Sequence, residues 1–290
     1  MNRVLRKPNF LGIGYGRSGT TYLTRILEQH PQIFIPERKE IYFFTRNYHR
    51  GEAWYEHYYR DADENQLALG DFSPSYINPL LDRTPTSVEN VIRRIKSFSS
   101  IRKLLILLRD PVTRYESIYN WGSSRGAFNN SSDEFIDWAI ANEVADYHKH
   151  INLWFEAFGR DNVHCEIFED MVNNPMEVIA DICEFLGVDK GKLEDNVNFE
   201  TPEINRGQII RFQNMYSIMI RLGHRFRNLH LDKTVAFLKR VLSPTLFERK
   251  EQTSKHFSDA QKQKIYLHHK KEYKSLSRLI GKDITEKWSH

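Results

Sequence analysis

Leu104 to Leu108 form an unbroken apolar run, "LLILL", closed immediately by Arg109, Asp110 and Pro111. Five consecutive apolar residues without alternation leave no face for water, so a strand built from them must be covered on both sides. That requirement favours a central parallel strand in a layered α/β domain. A second stretch has the same grammar. "NFLGIG" runs from apolar residues into glycines, and "TTYLTRILEQHP" continues at helical spacing, with Tyr22, Leu23, Ile26 and Leu27 as its buried stripe and Pro31 at its end. "QIFIPE" reads as a short second strand, and "NVHCEIFED" as another, followed by a helix, "PMEVIADICEFLG", that Gly187 terminates. Strands alternating with helices predict a doubly wound parallel sheet of phosphate-loop type, flanked by helices. After about residue 200 only helical patterns remain. No repeat or linker divides the 290 residues, so the expectation is one domain, with a sheet core over about 9–190 and a helical C-terminal part over about 200–290.

Composition narrows the classes. With 40% hydrophobic and 28% charged residues the chain is globular rather than disordered. No apolar run approaches a membrane span and no apolar signal segment follows the basic N-terminus, which predicts a cytoplasmic protein without a membrane anchor. Cys165 and Cys183 lack any paired spacing and are expected as buried free thiols. The 12 histidines show no metal-motif spacing, so no metal is expected, and His268 and His269 are placed on a solvated helix face. The net charge of +4 is uneven: residues 221–290 carry 17 Lys and Arg against 7 Asp and Glu, a net of +10, leaving −6 for the rest. Such a segment can serve a polyanionic small ligand, nucleic acid or an acidic membrane, although a solvated helix surface accounts for most of the lysines.

The loop "GIGYGRSGTT", Gly12 to Thr21, lies between a strand and a helix N-terminus, where unpaired amides and the positive end of the helix dipole receive an oxyanion. Its glycines fit two familiar templates in part. Gly14, Gly16 and Gly19 spell the dinucleotide fingerprint, with Glu37 available for a ribose, but Arg17 would stand inside the tight pyrophosphate turn. Gly14 and Gly19 also match a triphosphate loop, yet Thr20 stands where its lysine belongs, and Arg109 rather than a carboxylate follows the apolar strand. An arginine there suits a phosphate better than a metal ion.

A third reading joins pieces along the chain. "GRSGTTYLTRILEQHP", "KEIYFF", "NYHRGEAWY", "DFSPSYI" and "LLILLRDPVTRYESIYN" occur in that order. Together they resemble the sulfotransferases that use 3′-phosphoadenosine 5′-phosphosulfate (PAPS), most closely the heparan-sulfate N- and 3-O-sulfotransferase branch and its bacterial relatives. The resemblance covers about residues 9–125, continues more weakly in "EIFEDMVNNP" and "EFLGV", and returns in "LIGKDITEKW". It implies that Arg17, Ser18, Gly19, Thr20 and Thr21 hold the 5′-phosphosulfate, that Arg109 and Ser117 hold the 3′-phosphate, and that Glu40 is the base activating the acceptor, with Arg17 also stabilising charge on the departing phosphate. The reaction implied is in-line sulfuryl transfer to a hydroxyl, less readily an amine, of a small-molecule or glycan acceptor. It leaves 3′-phosphoadenosine 5′-phosphate (PAP), with no metal and no nucleic-acid partner. Two rivals stay open: a phosphate-loop kinase or other triphosphate enzyme, and a non-catalytic nucleotide- or nucleic-acid-binding protein.

The chain departs from that pattern in two places. The loop cation is Arg17, not the lysine common in the superfamily, and Phe72 in "DFSPSYI" stands where heparan-sulfate enzymes carry a lysine near the reacting centre. The acceptor pocket is expected to draw on "NYHRGEAWYEHYYRDADE", with Tyr48, His49, Tyr58 and Tyr59 as contacts and Trp54 and Tyr55 as packing. Glu52, Glu56, Asp61, Asp63 and Glu64 suit a neutral or cationic acceptor. The segment covering the nucleotide is either "INRGQIIRF", with Arg206 and Gly207, or "ERKEQTSKHF", with Lys250 and Lys255.

Overall fold

The computed structural model describes residues 6–79, 86–193 apart from 126 and 129, and 256–289, together with 197, 199 and the backbone of 209–210 and 247–248. Five strands, β1 (Phe10–Gly14), β2 (Ile33–Phe34), β3 (Ala68–Phe72), β4 (Lys103–Leu108) and β5 (Val163–Ile167), form one sheet in the order β2-β3-β1-β4-β5. Every pairing in it is parallel. The described α-helices are α1 (Thr20–Leu27), α2 (Glu52–Glu56), α3 (Val88–Lys96), α4 (Pro111–Ser123), α5 (Ser132–Ala141), α6 (Tyr147–Phe158), α7 (Phe168–Asn173), α8 (Pro175–Leu186) and α9 (Asp259–Ile280), with short 3₁₀ and π-helical turns besides.

The apolar run behaves as its composition requires. Leu104, Ile106 and Leu108 enter one hydrophobic core, shared with α3 to α6 and α9, while Leu105 and Leu107 enter a second, shared with α1 and α8. All five are buried. β1 lies between β3 and β4, the position at which a doubly wound sheet opens a ligand crevice at the carboxyl ends of its strands. Gly12 is required there: a Cβ on it would come within 2.0 Å of the Phe72 ring on β3.

The expected strands at "NFLGIG", "QIFIPE", "LLILL" and "NVHCEIFED" are all present, as is the Gly187 stop, where the chain turns left-handed after α8. β3 was not anticipated as a strand. Its sequence, "ALGDF", carries Gly70 and Asp71, both poor strand formers. Gly70 is admitted because Phe10 packs against its backbone, and Asp71 because two hydroxyls satisfy it. The purely helical expectation after residue 200 also needs correction, since Ile209–Ile210 pairs antiparallel with Phe247–Glu248. His269 is likewise not solvated. It is buried on α9, with Nε2 3.1 Å from the Tyr115 hydroxyl on α4.

The C-terminal segment is tied to the sheet by charge as well as packing. Glu166 on β5 is fully buried, 2.7 Å from Lys282 Nζ and 2.5 Å from His164 Nε2. Trp288 is buried too, and its Nε1 donates to Glu169 at 3.1 Å. Lys282→Met should therefore destabilise the fold by about 2–3 kcal/mol, because it leaves a buried carboxylate short of its counter-charge. Urea unfolding measures this, and a change below about 0.5 kcal/mol would show that the Glu166 pairing is immaterial.

Candidate active site

The loop after β1 is held open by arginines from elsewhere. Arg114, on α4, donates from Nε to the Gly16 carbonyl at 3.0 Å and from Nη1 to the Val144 carbonyl at 2.7 Å. Its guanidinium lies 4.9 Å from the centre of the Tyr15 ring. Arg109 Nη1 donates to the Arg17 carbonyl at 3.2 Å. Two successive loop carbonyls are thus engaged from the α4 side. Arg17 has φ 68° and Gly19 φ 87°, both left-handed, which is strained for the arginine and easy for the glycine. Gly19 is the N-cap of α1 and offers no side chain to its first-turn amides, so those donors are left for a ligand. Ser18 is fully buried, and its Oγ has no hydrogen-bond partner among the described residues.

Cationic groups converge on this loop. Arg17 Nε donates to Ser117 Oγ at 3.0 Å, across 100 residues of sequence. Burial, then the neighbouring Arg125 and Arg109 guanidiniums, lower the Arg17 pKa to about 10. Arg109 is also lowered, mainly by burial, against the opposing charges of Glu169 and Asp110. Its Nε donates to Thr113 Oγ1 at 3.1 Å, and its guanidinium stands 4.6 Å from the Phe168 ring centre. Burial is the main cause of both depressed values, and an anion beside these guanidiniums would relieve it. Asp110, the carboxylate after Arg109, caps α4 by accepting from the Val112 and Thr113 amides at 3.4 and 3.0 Å. The structure therefore brings Arg17, Ser18, Gly19, Thr20, Thr21, Arg109 and Ser117 into one neighbourhood at the ends of β1 and β4.

Glu40 lies beyond β2, on the other side of the loop. It accepts a short hydrogen bond from the Tyr42 hydroxyl. Tyr42 is left-handed, with φ 54°, and its amide donates to Ser73 Oγ at 3.0 Å. Ser73 in turn donates to Asp71 at 2.6 Å, and the Tyr55 hydroxyl reaches the other Asp71 oxygen at 2.6 Å. A polar chain thus runs from the core to Glu40, and sequence reasoning missed both Tyr42 and Asp71. It also missed Lys39, whose Nζ donates to Thr21 Oγ1 at 2.9 Å and to Thr20 Oγ1 at 3.4 Å. The available signal was the adjacent pair Lys39–Glu40 just after a strand.

The aromatic segment divides. Tyr59 is corrected from acceptor contact to core: it is fully buried and its hydroxyl donates to that of Tyr55 at 3.1 Å. Tyr48 packs on Phe43 with the Arg94 guanidinium 4.5 Å from its ring centre, and Tyr58 accepts from Arg38 at 2.8 Å. His49 is exposed. The nearby carboxylates do not form one acidic surface: Glu52 and Glu56 both pair with Lys7, at 2.9 and 2.7 Å, and Asp61 pairs with Arg60. The side chain over Tyr42 is instead cationic, Arg46 at 4.6 Å. Phe72 fills the core above Gly12. Arg206, Gly207, Lys250 and Lys255 lie outside the described residues. Elsewhere, Asp146, His268 and His269 place ligand atoms within 4.8 Å of one another, a grouping that linear spacing conceals. Both cysteines are buried and free.

A five-stranded parallel sheet flanked by helices, with a glycine loop leading from β1 into α1, is a phosphate-loop-like fold. Residues 7–206 match the family described as "Sulfotransferase domain", and the chain belongs to that family. The membrane-associated sulfotransferase kil1 of Dictyostelium discoideum is 37% identical over 121 residues, covering 41% of this chain and 24% of that protein. Heparan sulfate glucosamine 3-O-sulfotransferase 3A1 of Mus musculus is 30% identical over 192 residues, covering 62% of this chain and 46% of that protein. The chain thus spans less than half the length of these two relatives. The crystal structure of a sulfotransferase from Alicyclobacillus acidocaldarius shares the fold, with a TM-score of 0.56 at 23% identity over 80% of this chain and 96% of that one.

Burial outweighs the hydrogen bonds from Ser73 and Tyr55 and raises the Asp71 carboxyl to about 6. Its folded value lies above the unfolded one, so its contribution to stability is full below about pH 4 and is lost as pH rises through 6. The loss amounts to about 3 kcal/mol. Asp71→Asn should gain on the wild type by that order between pH 4 and pH 7 in chemical unfolding. A pH-independent difference would show that Asp71 is not the titrating group.

Proposed function

We propose that this protein transfers a sulfuryl group from PAPS to a hydroxyl of a small-molecule or glycan acceptor. One observation carries the reading: Arg17, Ser117 and Arg109 form a connected cluster at the ends of two neighbouring parallel strands, beside a helix N-terminus whose donors are open. Such a cluster suits a nucleotide bearing anionic groups at both its 3′ and 5′ positions, and the partnerless buried hydroxyl of Ser18 fits an oxyanion in the loop.

In this reading Arg109 and Ser117 hold the 3′-phosphate, while the α1 amides with Ser18, Thr20 and Thr21 hold the 5′ end. PAPS, when bound, supplies the activated sulfuryl group. Arg17 lies between the two anion sites and stabilises charge on the departing 5′-phosphate. Glu40 accepts the proton of the attacking hydroxyl, and Tyr42 holds the carboxylate in place for that transfer. The protein's task is positioning and fixed charge. The same reading places the protein in the cytoplasm; two buried, unpaired thiols are in keeping with a reducing compartment. Among the described residues no helix is long and apolar enough to cross a membrane.

Incubation with labelled PAPS and a panel of alcohols, glycans and amines tests the proposal, with label transfer to a hydroxyl-bearing acceptor expected. Failure of every acceptor together with no PAP binding would overturn it. Glu40→Gln should lower kcat by roughly 10²–10⁴-fold while leaving PAP affinity within about twofold. Arg109→Ala should weaken PAP roughly tenfold or more yet barely affect adenosine 5′-phosphosulfate, which has no 3′-phosphate.

A further inference from the structure

Lys39 occupies a place that is electrostatically wrong for an ammonium group on its own. Its backbone is fixed, since the carbonyl accepts from the Phe72 amide at the end of β3 at 3.1 Å and the amide donates to the Glu37 carbonyl at 3.1 Å. The side chain then reaches the hydroxyls of Thr20 and Thr21, the first two residues of α1. A helix N-terminus carries the positive end of the macrodipole and repels cations. The hydroxyls are neutral acceptors, and Lys39 forms no ion pair among the described residues. Burial lowers its pKa to about 8, opposed by Glu40 on its own segment and Glu28 at the end of α1, with Arg25 of α1 adding to the depression. The chain thus delivers a half-buried lysine to the spot where backbone and dipole favour an anion.

We propose that Lys39 is a direct ligand of the nucleotide's 5′ anion, its Nζ linking the Thr20 and Thr21 hydroxyls to an oxyanion seated on the N-terminus of α1. The proposal rests on the reading that this loop takes the 5′ end of the nucleotide. It assigns complementary work to two cations. Arg17, hydrogen-bonded to Ser117, serves the junction of the 3′ and 5′ sites, whereas Lys39 brings a compact, movable charge to the 5′ end from the segment after β2. An anion in contact with Lys39 favours its charged form, so binding near pH 8 takes up a proton. Arg17 is depressed only to about 10 and stays charged over pH 7–9, so it does not contribute to that uptake.

Isothermal titration of PAP at pH 7, 8 and 9, in buffers of different ionisation enthalpy, reads this directly. The wild type should show net proton uptake near pH 8, and its affinity should fall above pH 8 toward tenfold per pH unit. Lys39→Met should bind PAP roughly 10–100-fold more weakly with no uptake, and Lys39→Arg should retain affinity with a flat pH profile. Should Lys39→Met not fold, the Lys39→Arg profile decides the matter. PAP binding with unchanged affinity and uptake in Lys39→Met, or unchanged pH dependence in Lys39→Arg, would overturn the role of Lys39 alone. Absence of PAP binding to the wild type at every pH would remove the nucleotide reading and the Lys39 proposal with it.

Discussion

Everything at the site depends on the parallel pairing of β1 with β4. That pairing sets the loop after β1 beside the turn after β4, with the Tyr15 amide donating to the Leu107 carbonyl at 3.2 Å. Arg109 leaves the end of β4 and reaches the Arg17 carbonyl, and Ser117, two turns along α4, meets the Arg17 guanidinium. Without this adjacency the two basic residues, 92 positions apart, would be unrelated surface arginines. The sheet can hold it because the strands are apolar on both faces and the helices on each side close over them.

Concentrating positive charge at one edge is unfavourable unless something holds it there. The fold answers with rigid props, and with Glu169 and Asp110 as opposing charge beside Arg109. Arg114 is buried against the Tyr15 and Tyr147 rings and engages two carbonyls, and the Arg109 carbonyl itself accepts from the Tyr147 hydroxyl at 2.8 Å. His150, which burial lowers to about 4, stays neutral beside Tyr15 and adds no charge to the cluster. The C-terminal segment contributes from behind: Glu169 accepts from the Asp110 amide and from Trp288, joining the chain end to the turn that carries Arg109. The cations are thus held by fixed protein partners, the kind of arrangement that makes charge stabilisation effective in a transfer reaction.

On the opposite side of the loop a different constraint governs. Glu40 is positioned by a tyrosine in a left-handed conformation, and that conformation is held through Ser73 by a buried aspartate on β3. Strain of this kind persists only where surrounding structure over-determines it. The tyrosine cluster of Tyr55, Tyr59 and Tyr76 around Asp71 supplies that structure and is why so aromatic a segment is largely core. Of these rings the sequence offered Tyr59 to an acceptor and Tyr55 to packing, because aromatic content does not reveal which face is buried.

Much of the fold was legible in the sequence because it is written in local pattern. The "LLILL" run, the strand-to-glycine-to-helix transition and the Gly187 stop each express a backbone preference or a burial requirement that neighbouring residues satisfy. The motif residues Arg17, Ser18, Gly19, Thr20, Thr21, Arg109, Ser117 and Glu40 were legible through the resemblance to a known family, whose motifs recur in order along the chain. β3 was not legible, because Gly70 and Asp71 are tolerated only through partners distant in sequence. Lys39, Tyr42 and the burial of Tyr59 and His269 were hidden likewise, since a side chain's environment is fixed by whatever packs against it. Residue type alone specified the layered α/β class and the strand-to-glycine-to-helix turn, both short-range consequences of local pattern. Tertiary structure alone decided which cations share that loop and which polar groups hold Glu40, because those contacts exist only once separate strands lie side by side.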